Sequence, residues 1–294
     1  MTKTAWVFPG QGSQTIGMGV DLAGLPEAKA KFTQAEEILG WSVLAVSQDE
    51  DDKVSHAPYT QPCLYTLECI LVDLLKAKGK LPSLVAGHSL GEYAALYASG
   101  VYEFATGLRL VKRRAELMAQ ASEGTMVALI GFNRTELEAK IQAVEGVVLA
   151  NDNNTSQVVI SGTPAAVTTV TDSVKSKRAV KLNVSGAFHS PLMAPAAREF
   201  EQVLAAVEFQ HATVPVLSNV DPTPTTDGSQ LKAHLTQQMT GPVRWREISL
   251  QLPELGMEAV TEVGPGNVLT GLIKRTCKDL SLSNVGTLAQ IEDI

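Results

Sequence analysis

Short apolar runs alternate along the chain with longer stretches whose apolar residues recur at helical spacing, the pattern of strands joined by crossover helices in a mostly parallel sheet. Ala5–Phe8, Ser83–Ala86, Val214–Leu217 and Ala259–Val263 are brief, apolar and closed by Gly, Pro or Ser. That predicts central strands, each ending in a loop able to hold a ligand. The stretch from Thr125 to Val184 has a different rhythm: strand Met126–Ile130, a helix from Asn133, strands Val147–Leu149 and Val158–Ile160, a helix from Thr163-Pro164, strand Ala179–Val184. Asn133 with Glu136 makes a capping box, Thr163-Pro164 an N-cap followed by a helix-starting proline, and Asn151-Asp152-Asn153-Asn154 a turn between strands. The order β-α-β-β-α-β predicts a ferredoxin-like unit at 124–190, inserted between the halves 1–123 and 191–294 of a larger parallel-sheet unit. The cleft between the two units is the expected ligand site.

Composition narrows the function classes. The 294 residues are 45% apolar and 19% charged, which excludes a disordered chain. With 24 Lys and Arg against 31 Asp and Glu, the net charge of −7 offers no broad footprint for a phosphate backbone, so nucleic acid is not an expected partner. The acidic run Asp49–Asp52 reads as a solvated loop. Cys63, Cys69 and Cys277 have neither disulfide nor zinc spacing and are expected to be buried small hydrophobes. The apolar start breaks at Pro9-Gly10, far short of a leader or of the roughly 20 residues that span a bilayer, so a cytoplasmic chain with no membrane partner is expected.

Gly87-His88-Ser89-Leu90-Gly91 follows an apolar strand and opens a helix, matching G-x-S-x-G in the strand–turn–helix setting that chemistry requires. Glycines permit the sharp turn, and the turn presents the serine hydroxyl at a helix N-terminus. There the Leu90 N–H and the helix dipole face an oxyanion formed on an attacked carbonyl. Ser89 is therefore the candidate nucleophile.

Among His56, His88, His189, His211 and His234, local surroundings favour His189 as its base. It lies on a loop at the junction of the two units, before Pro191; the competing reading is a histidine that caps a helix. His88 is expected to point away from Ser89, and His234 to sit on a solvated helix face. No distinctive acid lies between Ser89 and His189, so a dyad oriented by a backbone carbonyl would serve. The glycines of Phe8-Pro9-Gly10-Gln11-Gly12-Ser13-Gln14 suggest close approach of backbone to ligand and a second oxyanion donor, or else a plain turn. Thr15 stands where a dinucleotide fingerprint needs its third glycine, and Gly264-Pro265-Gly266 lacks the continuation of a P-loop.

With these segments quoted, the chain resembles the malonyl-CoA:acyl carrier protein transacylases of fatty acid synthesis and the acyltransferase domains of polyketide synthases. Further carriers of the resemblance are Arg113-Arg114-Ala115-Glu116-Leu117-Met118, Gln157–Gly162, Ala187-Phe188-His189-Ser190, Pro242-Val243-Arg244-Trp245 and Glu262–Gly266, in order over essentially the whole length. The resemblance implies an α/β-hydrolase-like large subdomain with a parallel sheet and an inserted ferredoxin-like small subdomain. It makes Ser89 the nucleophile, His189 its base, the N–H groups of Gln11 and Leu90 the oxyanion hole, and Arg114 the partner of the malonyl carboxylate. The carbonyl orienting His189 is expected within Pro242–Trp245. Ala115 replaces the glycine found in many relatives, a small-for-small change expected to be harmless.

Phe188 with Leu90 would crowd a branched α-carbon and so favour malonyl over methylmalonyl, and Asn151 and Asn153 match asparagines near the family's cleft. The implied reaction is ping-pong: malonyl moves from CoA to serine, then to the phosphopantetheine thiol of acyl carrier protein. No metal or redox cofactor is required. An acidic carrier would dock on basic residues, with Lys177, Arg178 and Lys181 or Lys274, Arg275 and Lys278 as candidates, and a monomer is expected. The rival classes are a hydrolase using the same elbow and a non-catalytic carrier-binding module.

Overall fold

The computed structural model describes residues 2–121 and 123–294. Met1 and Ser122, both inside the expected 1–123 segment, lie outside the described residues. The strands are β1 (Thr4–Phe8), β2 (Leu84–Gly87), β3 (Thr125–Phe132), β4 (Val147–Asn154), β5 (Gln157–Gly162), β6 (Ser176–Lys181), β7 (Val216–Leu217), β8 (Ala259–Val263) and β9 (Ser281–Val285). They form two sheets: a five-stranded one in the order β7-β2-β1-β8-β9, and a four-stranded one in the order β4-β5-β3-β6. All pairings in the first are parallel and all in the second antiparallel.

The apolar run of β1 is central because it can be covered on both faces. Trp6 and Phe8 point into one core with the helices Thr60–Ala77, Gly91–Ala98 and Phe104–Gln120, while Ala5 and Val7 point into another with Trp245–Glu254 and Val268–Thr276. Alternate residues of one strand thus serve two layers of helix. The four-stranded sheet has its own core around Leu129, Leu137, Ile160 and Val170. Its helices start as the capping residues predict: Asn133 Oδ1 accepts from the Glu136 N–H, and Thr163 Oγ1 from the Ala166 N–H. This is the expected ferredoxin-like unit.

Several boundaries differ from expectation. β7 keeps only two residues of Val214–Leu217, since Pro215 has no N–H to donate to a ladder. Ser281–Val285 is a strand that the apolar pattern does not predict; as an edge strand it is mostly polar and carries no continuous apolar run. Asn151–Asn154 is strand rather than turn: β4 continues through irregular registers at Leu149/Asn151 and Asp152/Asn154. The turn falls on Thr155-Ser156, where Asn154 Oδ1 accepts from the Ser156 N–H. β6 ends at Lys181 rather than Val184, although the Leu182 N–H still reaches the Met126 carbonyl.

The lengthened β4 ties the four-stranded sheet to the segment that precedes the helix Trp245–Glu254. Val243 N–H donates to the Ala150 carbonyl at 2.8 Å, and Asp152 N–H to the Val243 carbonyl at 2.9 Å. The Asp152 carboxylate pairs with Arg134 of the small unit and Arg246 of the large one, both at 2.8 Å. No helix among the described residues is long and apolar enough to cross a membrane.

Candidate active site

β2 stops at Gly87 and the next helix starts at Gly91, so the chain must reverse within His88-Ser89-Leu90. Ser89 does this at φ 52°, a left-handed conformation that disfavours any side chain. The flanking glycines have no substitute: a Cβ on Gly87 would stand 1.9 Å from the Gly91 carbonyl carbon, and one on Gly91 2.0 Å from the Phe8 carbonyl oxygen. The loop after β1 abuts the same turn, since a Cβ on Gly10 would lie 2.4 Å from the His88 carbonyl oxygen. Gln11 and Leu90 are thereby brought to the turn, and their N–H groups donate to no protein acceptor among the described residues.

Ser89 Oγ is 2.8 Å from Nε2 of His189. His189 Nδ1 donates to the carbonyls of Gln238, at 3.0 Å, and Gly241, at 3.2 Å. These bonds fix the proton on Nδ1 and leave Nε2 as the acceptor for the serine hydroxyl. The orienting carbonyls therefore lie just before Pro242–Trp245, not within it. The Gln238 carbonyl closes the helix Gly228–Gln238, where the last carbonyls lack intrahelical partners. Burial pushes the His189 imidazole down to about 3; the nearby Arg114 cation adds to this, and the two carbonyls oppose it. At neutral pH it is an uncharged base.

Arg114 comes from the helix Phe104–Gln120 and is 1% exposed. Nη1 donates to Gln61 Oε1 at 2.6 Å, and Nη2 to Ser89 Oγ at 2.9 Å and Gln238 Oε1 at 3.3 Å. Its guanidinium carbon lies 5.4 Å from the Tyr93 ring centroid, and Nε has no partner. No carboxylate pairs with it among the described residues, and burial lowers its pKa from the usual arginine value. A buried cation without an anion, in contact with the Ser89 hydroxyl, is suited to an anionic group on a ligand.

Four other residues of the site were not legible as functional. Asn219, at the end of β7, accepts the Ser89 N–H through Oδ1 at 2.7 Å and donates through Nδ2 to the Gly87 carbonyl at 2.6 Å. Gln238, expected in a polar, solvated helix, is fully buried, and its Nε2 donates to the Ser89 carbonyl at 2.9 Å. Glu92 is buried behind the turn, and burial pushes its carboxyl up to about 7 against the hydrogen bonds it accepts. Gln61 completes the set as the acceptor of Arg114. Asn219 lies two residues beyond the carboxyl end of β7, an edge strand rather than the central one expected, and that position carries the one sequence signal that could have pointed to it.

His88 does turn away from Ser89: its Nε2 is 2.9 Å from Asn153 Oδ1 on β4, and its ring packs on Trp245. Asn151 bridges to Val243 through its backbone, and Phe188 is buried in the core shared with the helix Phe104–Gln120. His234 is half-buried with Asp221 at 3.7 Å, not fully solvated. Lys177, Arg178 and Lys181 on β6, and Lys274, Arg275 and Lys278 at the end of the helix Val268–Thr276, are exposed and make no ion pair among the described residues. Arg113, by contrast, is held by Glu116 and Glu199. Cys63 and Cys69 are buried as expected, and Cys277 is only partly so.

A serine on a strand–turn–helix elbow, met by a histidine and an arginine at the carboxyl edge of a parallel sheet, is the equipment of an acyl-transferring enzyme. The acyl transferase domain model matches residues 5–291. The malonyl CoA-acyl carrier protein transacylase of Synechocystis sp. is 58% identical over 99% of this chain and 100% of its own length, and its crystal structure superposes with a TM-score of 0.98. The transacylase of Escherichia coli is 40% identical over 96% of each chain. A malonyl-transacylase solved in complex with its type II PKS acyl-carrier protein is 37% identical, with a TM-score of 0.94 over 99% of this chain and 98% of its own. The chain belongs to the malonyl CoA-acyl carrier protein transacylase family.

Proposed function

We propose that this chain moves the malonyl group of malonyl-CoA to the phosphopantetheine thiol of an acyl carrier protein, through a malonyl ester on Ser89, in the supply of fatty acid biosynthesis. The observation that carries the reading is the buried, carboxylate-free Arg114 placed 2.9 Å from a hydroxyl that also meets His189. In the first half-reaction Ser89 Oγ attacks the thioester carbonyl as His189 Nε2 takes its proton. The N–H groups of Gln11 and Leu90 receive the oxyanion, and CoA leaves as the thiol with the proton from His189. In the second, the carrier thiol gives its proton to His189 and attacks the ester, and Ser89 recovers its proton. Arg114 holds the malonyl carboxylate through two parallel hydrogen bonds.

Phe188, Asn151 and Asn153 line the acyl pocket in this reading, with Phe188 disfavouring a branched α-carbon. The large subdomain comprises 1–123 and 191–294, the small one 124–190, and the cleft between them admits both substrates. Lys177, Arg178 and Lys181, or Lys274, Arg275 and Lys278, meet the carrier. In this reading the chain acts as a monomer in the cytoplasm. No metal takes part in these steps.

Intact mass spectrometry of the protein mixed with malonyl-CoA tests the proposal. One added malonyl group, absent in Ser89→Ala and discharged by holo carrier protein, is the expected result. Steady release of malonate with no carrier present would instead identify a hydrolase.

A further inference from the structure

Beneath the residues given roles above lies a carboxylate with none. Glu92, 1% exposed at the start of the helix Gly91–Ala98, accepts two hydrogen bonds at the same oxygen. Oε2 takes the Asn219 N–H at 3.2 Å and Gln238 Nε2 at 2.8 Å; Oε1 has no partner. The two residues it holds are the ones that grip the nucleophile.

Asn219 Oδ1 accepts the Ser89 N–H, and Gln238 Nε2 donates to the Ser89 carbonyl. Together they occupy both backbone polar groups of a residue in a left-handed conformation, which persists only where its surroundings enforce it. Asn219 Nδ2 also ties the end of β2 through the Gly87 carbonyl. Gln238 reaches further, for its own carbonyl accepts His189 Nδ1–H and its Oε1 accepts Arg114. One oxygen of Glu92 therefore holds the main chain of Asn219 and the side chain of Gln238, the two residues on which the geometry of Ser89 and His189 depends. Because Asn219 takes the Ser89 N–H, that group is not free to serve an oxyanion.

A buried carboxyl with an unpartnered oxygen is a poor way to fill space, since an apolar side chain would cost less desolvation. Hydrogen bonds accepted at one oxygen offer what an apolar side chain lacks, fixed direction toward two donors at once. We infer that Glu92 is a positioning residue, which holds Ser89 in its reactive conformation through Asn219 and Gln238 and steadies His189 through the main chain of Gln238. The inference rests on the reading of Ser89 as nucleophile and His189 as base.

The test compares Glu92→Gln, which keeps an acceptor oxygen, with Glu92→Leu, which removes it. Each is assayed for kcat and KM with malonyl-CoA and for the rate of inactivation by phenylmethanesulfonyl fluoride, with the labelled residue mapped by mass spectrometry. That reagent reports on the dyad without any carboxylate for Arg114. Glu92→Gln should stay near the parent. Glu92→Leu should lower kcat and the inactivation rate together, by roughly 100-fold, with KM nearly unchanged.

Asn219→Ala leaves the carboxyl in place and should give the same kcat-selective loss, and the double variant should lose no more than the worse single one. A folded Glu92→Leu enzyme with the parent inactivation rate would overturn the inference. So would additive losses, or a Glu92→Gln enzyme as impaired as Glu92→Leu. Label on a residue other than Ser89 in the parent enzyme would instead remove the dyad reading beneath it.

Discussion

Arg114 Nη2 donates to Ser89 Oγ at 2.9 Å, so the hydroxyl that His189 would deprotonate is also engaged by a buried cation. A donor on Oγ draws off the lone-pair density needed for attack, and the same charge lowers the basicity of His189. A carboxylate arriving at Arg114 relieves both effects. In the proposed mechanism, charge on the acyl group thus acts on chemistry as well as on binding.

Arg114→Ala should therefore lose most malonyl transfer while gaining on acetyl-CoA relative to malonyl-CoA. An uncharged acyl group in the parent leaves the arginine unpaired, at a cost of about 1–3 kcal/mol. Arg114→Lys should recover only part, because a point charge does not reproduce the planar fork. The measurement is kcat/KM for both CoA esters in both variants. Parallel loss on the two esters would assign Arg114 to the fold.

The pH dependence follows from His189. In the proposed mechanism its base form is the active one, and burial beside Arg114 depresses the imidazole from the usual 6.5 to about 3. The acid limb of kcat/KM for acetyl-CoA, which brings no carboxylate, should then lie well below pH 6.5 and shift upward in Arg114→Ala as one depressing charge is removed. The linked stability has the same sign. A histidine kept neutral by folding contributes fully above pH 6.5, and that contribution is lost as pH falls from 6.5 toward 3. An acid limb at or above 6.5 in the parent would contradict the buried-imidazole account.

Gly91→Ala should be among the most damaging single substitutions in the chain. The new Cβ would meet the Phe8 carbonyl oxygen at 2.0 Å and its carbon at 2.6 Å, both main-chain atoms of the central strand. The expected loss is about 3 kcal/mol or more, read as a lowered urea midpoint. Gly271→Ala is the control, since nothing lies within 4 Å of a Cβ there. Equal midpoints for the two variants would mean that the elbow is not as tightly built as described.

Charge reversal should identify the carrier's landing place. Lys177, Arg178 and Lys181 lie on the edge strand that leads into the His189 loop, and Lys274, Arg275 and Lys278 close a helix packed against β4. Reversing the correct set should raise KM for the carrier and leave the malonyl-loading half-reaction unchanged. Carrier kinetics unaltered in both triple variants would exclude both surfaces.

The elbow was legible because its requirements are local: two glycines, a serine, and the strand and helix on either side. Arg114 could be singled out only through the family resemblance, as its helix also carries Arg109, Lys112 and Arg113 and nothing in their spacing separates them. Asn219 and Gln238 escaped because they act across 130 and 149 residues of chain through single hydrogen bonds, and no periodicity records such a contact. The asparagine run 151–154 misled for a related reason. Turn-forming residues can stay in a strand when a neighbouring segment, here Val243, gives the edge a second partner.

That strand edge has a mechanical meaning. Val243, which β4 holds through both its N–H and its carbonyl, is two residues from the Gly241 carbonyl that steers His189, and Asn153 on the same strand holds His88 next to Ser89. Tilting the small sheet against the large one pulls on both anchors at once. The segment that orients His189 and the strand that holds His88 are thus tied to each other by main-chain hydrogen bonds, so the small sheet forms part of the frame of the elbow.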